Sequence, residues 1–228
     1  MALQYLKEQN QKLKDTGAFY SPNGIHIYIK DPIHGPVNLS SVIEDYENIL
    51  PPQTRENVEM IVVGNFEEFL ERKINAFYEN GSLFVSNIQT NNEDLLDDLV
   101  HETAHSIEEV YGYELYADQL MKDEFIQKRK FLYDMLWKMG FKAPLEVFLD
   151  PEYNKEFDKF LFMDVGYDKL SEIMKGVFIT PYAATSLREY FATLFTEFYL
   201  YPDSHGFLSR VSPAPYKKIM DLHRQENA

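Results

Sequence analysis

The feature that most constrains this chain is a pair of histidines four residues apart, His101 and His105, with Glu102 directly after the first. In an α-helix four residues advance about 400°, so both imidazoles project from the same face. A glutamate beside the first histidine can then lie over whatever the pair binds. This spacing is typical of a hydrolytic zinc site, and a chance pair of surface histidines is the alternative to it.

The residues around the histidines have the periodicity of an amphipathic helix. On a wheel of about 100° per residue, acidic residues share the side on which the histidines lie. Seven apolar or small residues occupy the opposite arc, namely Leu95, Leu96, Val100, Thr103, Ala104, Ile107 and Val110. We therefore expect the histidines to face a cleft or solvent while the opposite stripe packs on a core, as a metal site requires.

The charge of the chain limits its partners. The net charge of −15 argues against a general nucleic-acid binder and against adhesion to anionic lipid. From Glu93 to Glu114 there are eight acidic residues and no lysine or arginine. This run predicts an electronegative cleft that suits a substrate or partner with a basic segment.

The chain has no cysteine, so disulfides are excluded and any zinc must be held by histidine and carboxylate. The first residues, MALQYLKEQNQKLK, lack a long apolar core and a small-residue cleavage site. No run of about 18 apolar residues occurs. We therefore expect no Sec-type signal peptide and no membrane span, so that the protein is either cytoplasmic or exported or packaged by another route.

The order of the elements predicts an α+β fold, in one domain of two lobes. Residues 1–23 are expected to be a helical appendage with a short polar helix over 2–15. Residues 24–110 are expected to form an N-terminal lobe with a small mixed sheet and the helix of the histidine pair. Residues 111–228 are expected to form a helical lobe with an insertion near 140–176.

Within the first lobe, alternating and apolar runs predict a strand, a helix and a further edge-like strand ahead of the histidine helix. The predicted elements are a strand over 24–30, a short helix over 41–50, a strand over 58–63, a helix over 66–78 and a strand over 82–87. This order is that of a zincin-type lobe, in which the last strand often holds extended substrate by main-chain pairing.

A catalytic zinc site needs a third protein ligand and an open position for water. A third histidine six residues after His105 is excluded, because Tyr111 stands there, so a glutamate from a later helix is needed. Glu189, in a predicted helix over 186–198, is the best candidate, because small residues flank it on the wheel and large apolar residues fill the opposite side. Glu197 is the poorer candidate on the same helix.

Three further motifs follow the histidine pair in a fixed order. They are HSIEEVYGY from His105 onwards, ITPY ending at Tyr182 seven residues ahead of Glu189-Tyr-Phe-Ala, and PAPY at 213–216. Their order and spacing resemble the anthrax lethal factor-like zinc metallopeptidases, a toxin-related family that includes the Pro-Pro endopeptidases.

The resemblance covers about residues 75–139 and 177–222, while the segment near 140–176 is longer than is usual in the family. It implies a zincin-like fold and a zinc endopeptidase with one Zn²⁺ per chain. The site residues that it implies are His101, His105 and Glu189 as zinc ligands, Glu102 as general base and Tyr182 as the donor to the oxyanion.

Other interpretations stay open on the sequence alone. One is a structural or binding component, for example of a phage particle or a toxin complex, that retains the zincin fold with little or no proteolytic function. Another is a cytoplasmic gluzincin-like protease that cleaves one repressor. The intact Glu102 favours an enzyme.

Further residues are candidates for supporting roles in the site. Asp97, Asp98 and Glu108 are candidates to orient the histidines, and His205 is a further candidate donor to the reaction intermediate.

Overall fold

The structure, a computed structural model, describes residues 17–72 and 74–224. These residues form a five-stranded sheet and ten α-helices, which confirms the expected α+β class. They divide into two compact units, one up to Val110 and one from Tyr111 onwards. The short helix expected over 2–15 lies outside the described residues.

The first unit contains the sheet, whose strands lie in the order β1-β2-β3-β5-β4. The strands are β1 Gly17–Tyr20, β2 His26–Ile29, β3 Met60–Gly64, β4 Ala76–Glu79 and β5 Ser82–Ser86. β3 pairs in parallel with β2 and with β5, whereas the outer pairs, β1 with β2 and β4 with β5, are antiparallel. The sheet is therefore mixed, as expected.

Helices follow three of these strands. They are α1 Leu39–Ile49 after β2, α2 Glu67–Arg72 after β3 and α3 Asn92–Tyr116 after β5. A short 3₁₀ turn, Pro52–Arg55, follows α1. β3, inside the sheet, is buried on both sides: Ile61 and Val63 have no exposed surface on one side, and Val62 is 6% exposed on the other, as is usual for a strand with parallel neighbours.

The helix expected over 66–78 is wrong in its second half. It ends at Arg72, and Ala76–Glu79 instead pairs antiparallel with β5. Asn80 and Gly81 join the two strands with φ values of 47° and 78°. Both residues thus have the left-handed backbone that two-residue hairpin turns require, and an Asn-Gly pair between apolar runs is the sequence signal for such a hairpin.

The helical appendage expected over 1–23 is also too long. Gly17–Tyr20 is a strand that pairs with β2, and its four residues are exposed. Its pairing partner, rather than an apolar pattern of its own, makes this segment a strand. The helix expected over 41–50 and the strand expected over 82–87 are confirmed within one or two residues.

The described part of the second unit is helical. Its helices are α4 Leu120–Lys138, α5 Leu145–Leu149, α6 Lys155–Lys159, α7 Tyr167–Ile173, α8 Leu187–Leu200, α9 His205–Val211 and α10 Pro213–Arg224. A π-helix, Phe160–Val165, lies between α6 and α7, and 3₁₀ turns occur at Tyr182–Ala184 and Pro202–Ser204. The segment near 140–176 thus consists mainly of short helices.

α8 is the central helix of this unit. It packs against α4, α9, α10 and the Tyr182–Ala184 turn. Tyr190, Phe191, Leu194 and Phe195 cover one side of α8 and have no exposed surface. On the other side Ala192 has none either, and Thr193 and Thr196 are 9% and 6% exposed, so almost the whole circumference of α8 is covered. None of the helices in the described ranges combines the length and the apolar composition that a membrane crossing needs.

Candidate metal centre

The histidine pair lies in the middle of α3, a helix with a well-defined start. The side chain of Asn91 accepts a hydrogen bond from the backbone N–H of Asp94 at 2.8 Å. Glu93 and Asp94 in the first turn complement the positive end of the helix dipole. The helix is regular through both histidines and kinks at Tyr111, where φ is −107° and ψ is 16°.

The face of α3 opposite the histidines is buried, as its periodicity predicts. Leu95, Val100 and Ala104 have no exposed surface. The prediction is wrong for Val110, which is 48% exposed. Val110 directly precedes the kink at Tyr111, where the rotation of 100° per residue ends.

A buried hydrogen bond holds this face of α3 to α1. Thr103, between the two histidines, donates its hydroxyl to the carbonyl of Leu99 at 2.7 Å. The hydroxyl of Tyr46 lies 2.8 Å from Thr103 Oγ1 and is therefore the donor of that pair. Burial raises the pKa of Tyr46, so its proton is retained. The bond fixes the rotation of α3 about its own axis.

His105 is oriented by a carboxylate one turn further along α3. Its Nδ1 lies 2.7 Å from Glu108 Oε2, and the two side chains are only 12% and 5% exposed. Because a carboxylate oxygen accepts, Nδ1–H donates, so Nε2 is the nitrogen that remains to bind a metal ion. The rings of His101 and His105 are 5.3 Å apart, at 77° to one another. Of the three predicted orienting residues, Glu108 thus contacts His105.

Acidic groups surround His101. Burial raises the pKa of the Asp98 carboxyl to about 7, and a hydrogen bond from Gln89 and the charge of His101 oppose that rise. Burial also raises the pKa of Asp97, which His101 again lowers. Glu102 is only 9% exposed and adds negative charge near Asp98. The carboxyl groups of Asp97 and Asp98 thus interact electrostatically with His101, and negative charge there suits a bound cation.

Glu189 lies in the first turn of α8. Ser186 is the N-cap residue of this helix, and its hydroxyl accepts a hydrogen bond from the backbone N–H of Glu189 at 3.1 Å. The neighbours that the wheel places beside Glu189, such as Thr185 and Ala192, are small and fully buried. The Glu189 side chain itself is half-buried.

The structure brings the three predicted ligands together. One ligand atom from each of His101, His105 and Glu189 lies within 4.8 Å of the other two, so this group can hold a metal ion. Among the described residues, the group consists of these three side chains, and Glu197, the poorer candidate, is not part of it.

The remaining predicted residues have different surroundings. Tyr182 begins a 3₁₀ turn that packs on α8, and its carbonyl accepts hydrogen bonds from the N–H and the hydroxyl of Thr185 at 2.9 and 2.8 Å. Its role as an oxyanion donor stays a prediction. His205 Nε2 donates to the carbonyl of Phe198 at 2.8 Å, and its ring stacks on Phe198 at 4.1 Å. His205 Nε2 is thus hydrogen-bonded to the main chain near the C-terminal end of α8.

Two contributors to the site were missed at the level of sequence. Tyr46 contacts the histidine helix from 57 residues away, and Gln89 bonds the carboxyl of Asp98. Tyr46 carries a partial signal, since it lies on the apolar side of the predicted helix over 41–50. Gln89 lies in a short connection between β5 and α3, and nothing in the sequence around it signals its contact with Asp98.

Comparison with known proteins adds no family to this description. No protein-family model matches the chain, and no curated protein matches it. The function must therefore be inferred from the three ligand side chains and from the buried groups that surround them.

Proposed function

We propose that this chain is a zinc-dependent endopeptidase of the lethal factor-like type, with a zincin-like fold of two lobes. The observation that supports the proposal is the group of His101, His105 and Glu189, whose ligand atoms lie within 4.8 Å of one another. Two imidazoles and one carboxylate are the ligand set of hydrolytic zinc sites that keep one position open. The regular helical spacing of the histidines adds to this support.

The ligand chemistry fits zinc. The Nδ1–H of His105 donates a hydrogen bond to Glu108, so Nε2 is the nitrogen that can bind the metal. The partner carboxylate of a ligating histidine raises the basicity of its free nitrogen and fixes the plane of the ring. When bound, Zn²⁺ supplies Lewis acidity, which polarises the substrate carbonyl and lowers the pKa of water at the site to about 7.

The side chains of the chain then divide the work of peptide hydrolysis. Glu102 takes the proton of the attacking water and passes it to the leaving amine. Glu102 is 9% exposed, so its carboxylate is largely shielded from bulk solvent. Tyr182 donates its hydroxyl to the oxygen that becomes negative as water adds to the carbonyl.

The substrate is a protein or peptide with a basic segment. Eight acidic residues and no lysine or arginine occur from Glu93 to Glu114, in the helix of the histidine pair. Attraction between such a surface and a basic segment raises the rate of association and weakens with added salt. Cleavage in a peptide library should therefore favour basic sequences at low salt, and indifference to substrate charge would contradict this part of the proposal.

The test compares the wild type with Glu102→Ala and with Glu44→Ala, a control that removes an exposed carboxylate of α1 outside the acidic run from Glu93 to Glu114. Each protein is analysed for bound metal and for cleavage of the library. We expect one zinc per chain in all three proteins, and a loss of about 100- to 10,000-fold in cleavage rate for Glu102→Ala alone.

Two outcomes would contradict the proposal in different ways. Full cleavage by Glu102→Ala would remove the assigned general base and with it the mechanism. Zinc binding by the wild type without cleavage of any peptide would favour the alternative, a binding or structural component that retains the metal site.

A further inference from the structure

We infer that Arg129, a buried residue of α4, is a positioning residue for the ligand Glu189. The inference rests on the metal site of the proposed function. It assigns a role to a residue that lies 60 positions before Glu189 in the chain and belongs to no recognised motif.

Arg129 is an unusual residue for its position, because its side chain has no exposed surface. Its guanidinium donates to the main chain at the end of α5: Nη1 bonds the carbonyl of Asp150 at 2.7 Å, and Nη2 bonds the carbonyl of Val147. The guanidinium also lies 4.1 Å from the centre of the Phe157 ring. Burial lowers the pKa of Arg129 to about 9.

The segment that Arg129 holds is bonded to the start of the ligand helix. The carbonyl of Pro151, the residue after Asp150, accepts a hydrogen bond from the backbone N–H of Leu187 at 2.8 Å. Leu187 is the first residue of α8, and Glu189 follows two residues later. A continuous series of bonds therefore runs from the guanidinium through residues 147–151 to the first turn of α8.

The neighbouring residue of α4 holds the other side of Glu189. Lys128 Nζ donates to the hydroxyl of Tyr190 at 2.5 Å, and Tyr190 has no exposed surface. Glu189 thus lies between Leu187 and Tyr190, both of which are tied to groups fixed by α4. Metal–ligand distances in formed sites keep within about 0.2 Å of their usual values, so a shift of the first turn of α8 that moves the Glu189 carboxylate away from the metal should weaken binding.

The experiment measures the zinc dissociation constant by competition with a chromogenic chelator, together with thermal unfolding of the metal-free chain. Arg129→Lys keeps the charge but loses the planar fork that bonds two carbonyls. We expect it to weaken zinc binding about 10- to 100-fold, the range for groups that orient a ligand. Leu132→Ala, which shortens a fully buried apolar side chain of the same helix, is the control for destabilisation and should bind zinc as the wild type does.

A second pair of variants tests the bond between Pro151 and α8 itself. Proline fits the first position of a helix and lacks only the N–H there, and Ser186 before it has the extended backbone that proline requires. Leu187→Pro therefore deletes the donor, whereas Leu187→Ala loses the same leucine packing and keeps the donor. We expect Leu187→Pro to weaken zinc binding to the same extent as Arg129→Lys, and the double variant to be no weaker than either one.

Several results would overturn the inference. An unchanged zinc dissociation constant in Arg129→Lys would do so, as would equal losses in Leu132→Ala and Arg129→Lys, which would indicate general destabilisation. Losses that multiply in the double variant would show that Arg129 does not act through Leu187. Absence of zinc binding by the wild type would instead overturn the proposed function on which the inference rests.

Discussion

Replacing Thr103 by valine tests how the helix of the histidine pair is held against α1. Tyr46 and Thr103 have no exposed surface. The Thr103 hydroxyl donates its proton to the carbonyl of Leu99. In the 2.8 Å hydrogen bond between Tyr46 and Thr103 Oγ1, Tyr46 is therefore the donor. Valine retains the branched shape of threonine but removes the acceptor, so the Tyr46 hydroxyl stays buried without its bond.

Removing the donor and removing the acceptor of this hydrogen bond should lower the free energy of unfolding by different amounts. Tyr46→Phe leaves Thr103 with its own donor bond intact, so only one net hydrogen bond is lost, about 1 kcal/mol. Thr103→Val leaves a buried donor without its acceptor, which costs about 2 kcal/mol. In the double variant the orphaned hydroxyl is gone, so we expect it to be no less stable than Thr103→Val and the two single effects to be non-additive by about 1 kcal/mol.

The measurement is urea denaturation followed by far-ultraviolet circular dichroism, with the midpoints compared at a common slope. Metal-free protein is used, so that zinc binding does not contribute to stability. Single effects that add within about 0.5 kcal/mol would refute the reasoning, because they would show that the two side chains do not share a bond. A larger cost for Tyr46→Phe than for Thr103→Val would also refute it.

Two further predictions concern a buried lysine and the partner of a ligand. Burial lowers the pKa of Lys128 from 10.5 to about 8, so above pH 8 the unfolded chain holds a proton that the folded chain has released. The free energy of unfolding of the wild type should therefore rise by roughly 1 to 2 kcal/mol between pH 8 and 9.5 relative to Lys128→Met, and parallel pH profiles would contradict this. Glu108→Ala removes the acceptor of His105 Nδ1–H and should weaken zinc binding about 10- to 100-fold, as measured by chelator competition. Glu109→Ala should not, and equal dissociation constants for the two variants would exclude the orienting role.

The elements that present the candidate ligands could be predicted from the sequence, because their signals are local. Helical spacing alone puts His101 and His105 on one face, and the buried stripe opposite follows from the same periodicity. The helix with Glu189 was placed within two residues of its bounds, since Ser186 is a good N-cap and the apolar residues recur at helical spacing.

The misassigned segments lack such local signals. From 66 to 78 the apolar residues are dense enough to suit either a helix or a strand, and only the pairing of Ala76–Glu79 with β5 decides the outcome. Gly17–Tyr20 is a strand because β2 offers its free edge, although all four residues are exposed. Pairing between distant segments is not visible in the spacing of either segment.

The same distinction separates residues that bind from residues that position. A metal accepts few kinds of ligand atom, so the letters His, Glu and Asp at a suitable spacing can be searched for directly. Arg129 instead bonds main-chain carbonyls 18 and 21 residues away. Every residue type offers a carbonyl, so the identities of Val147 and Asp150 carry no trace of the contact, whereas the fork of Arg129 has no substitute among the other side chains. Positioning of this kind is encoded in one residue only, and it becomes apparent only when the folded backbone is known.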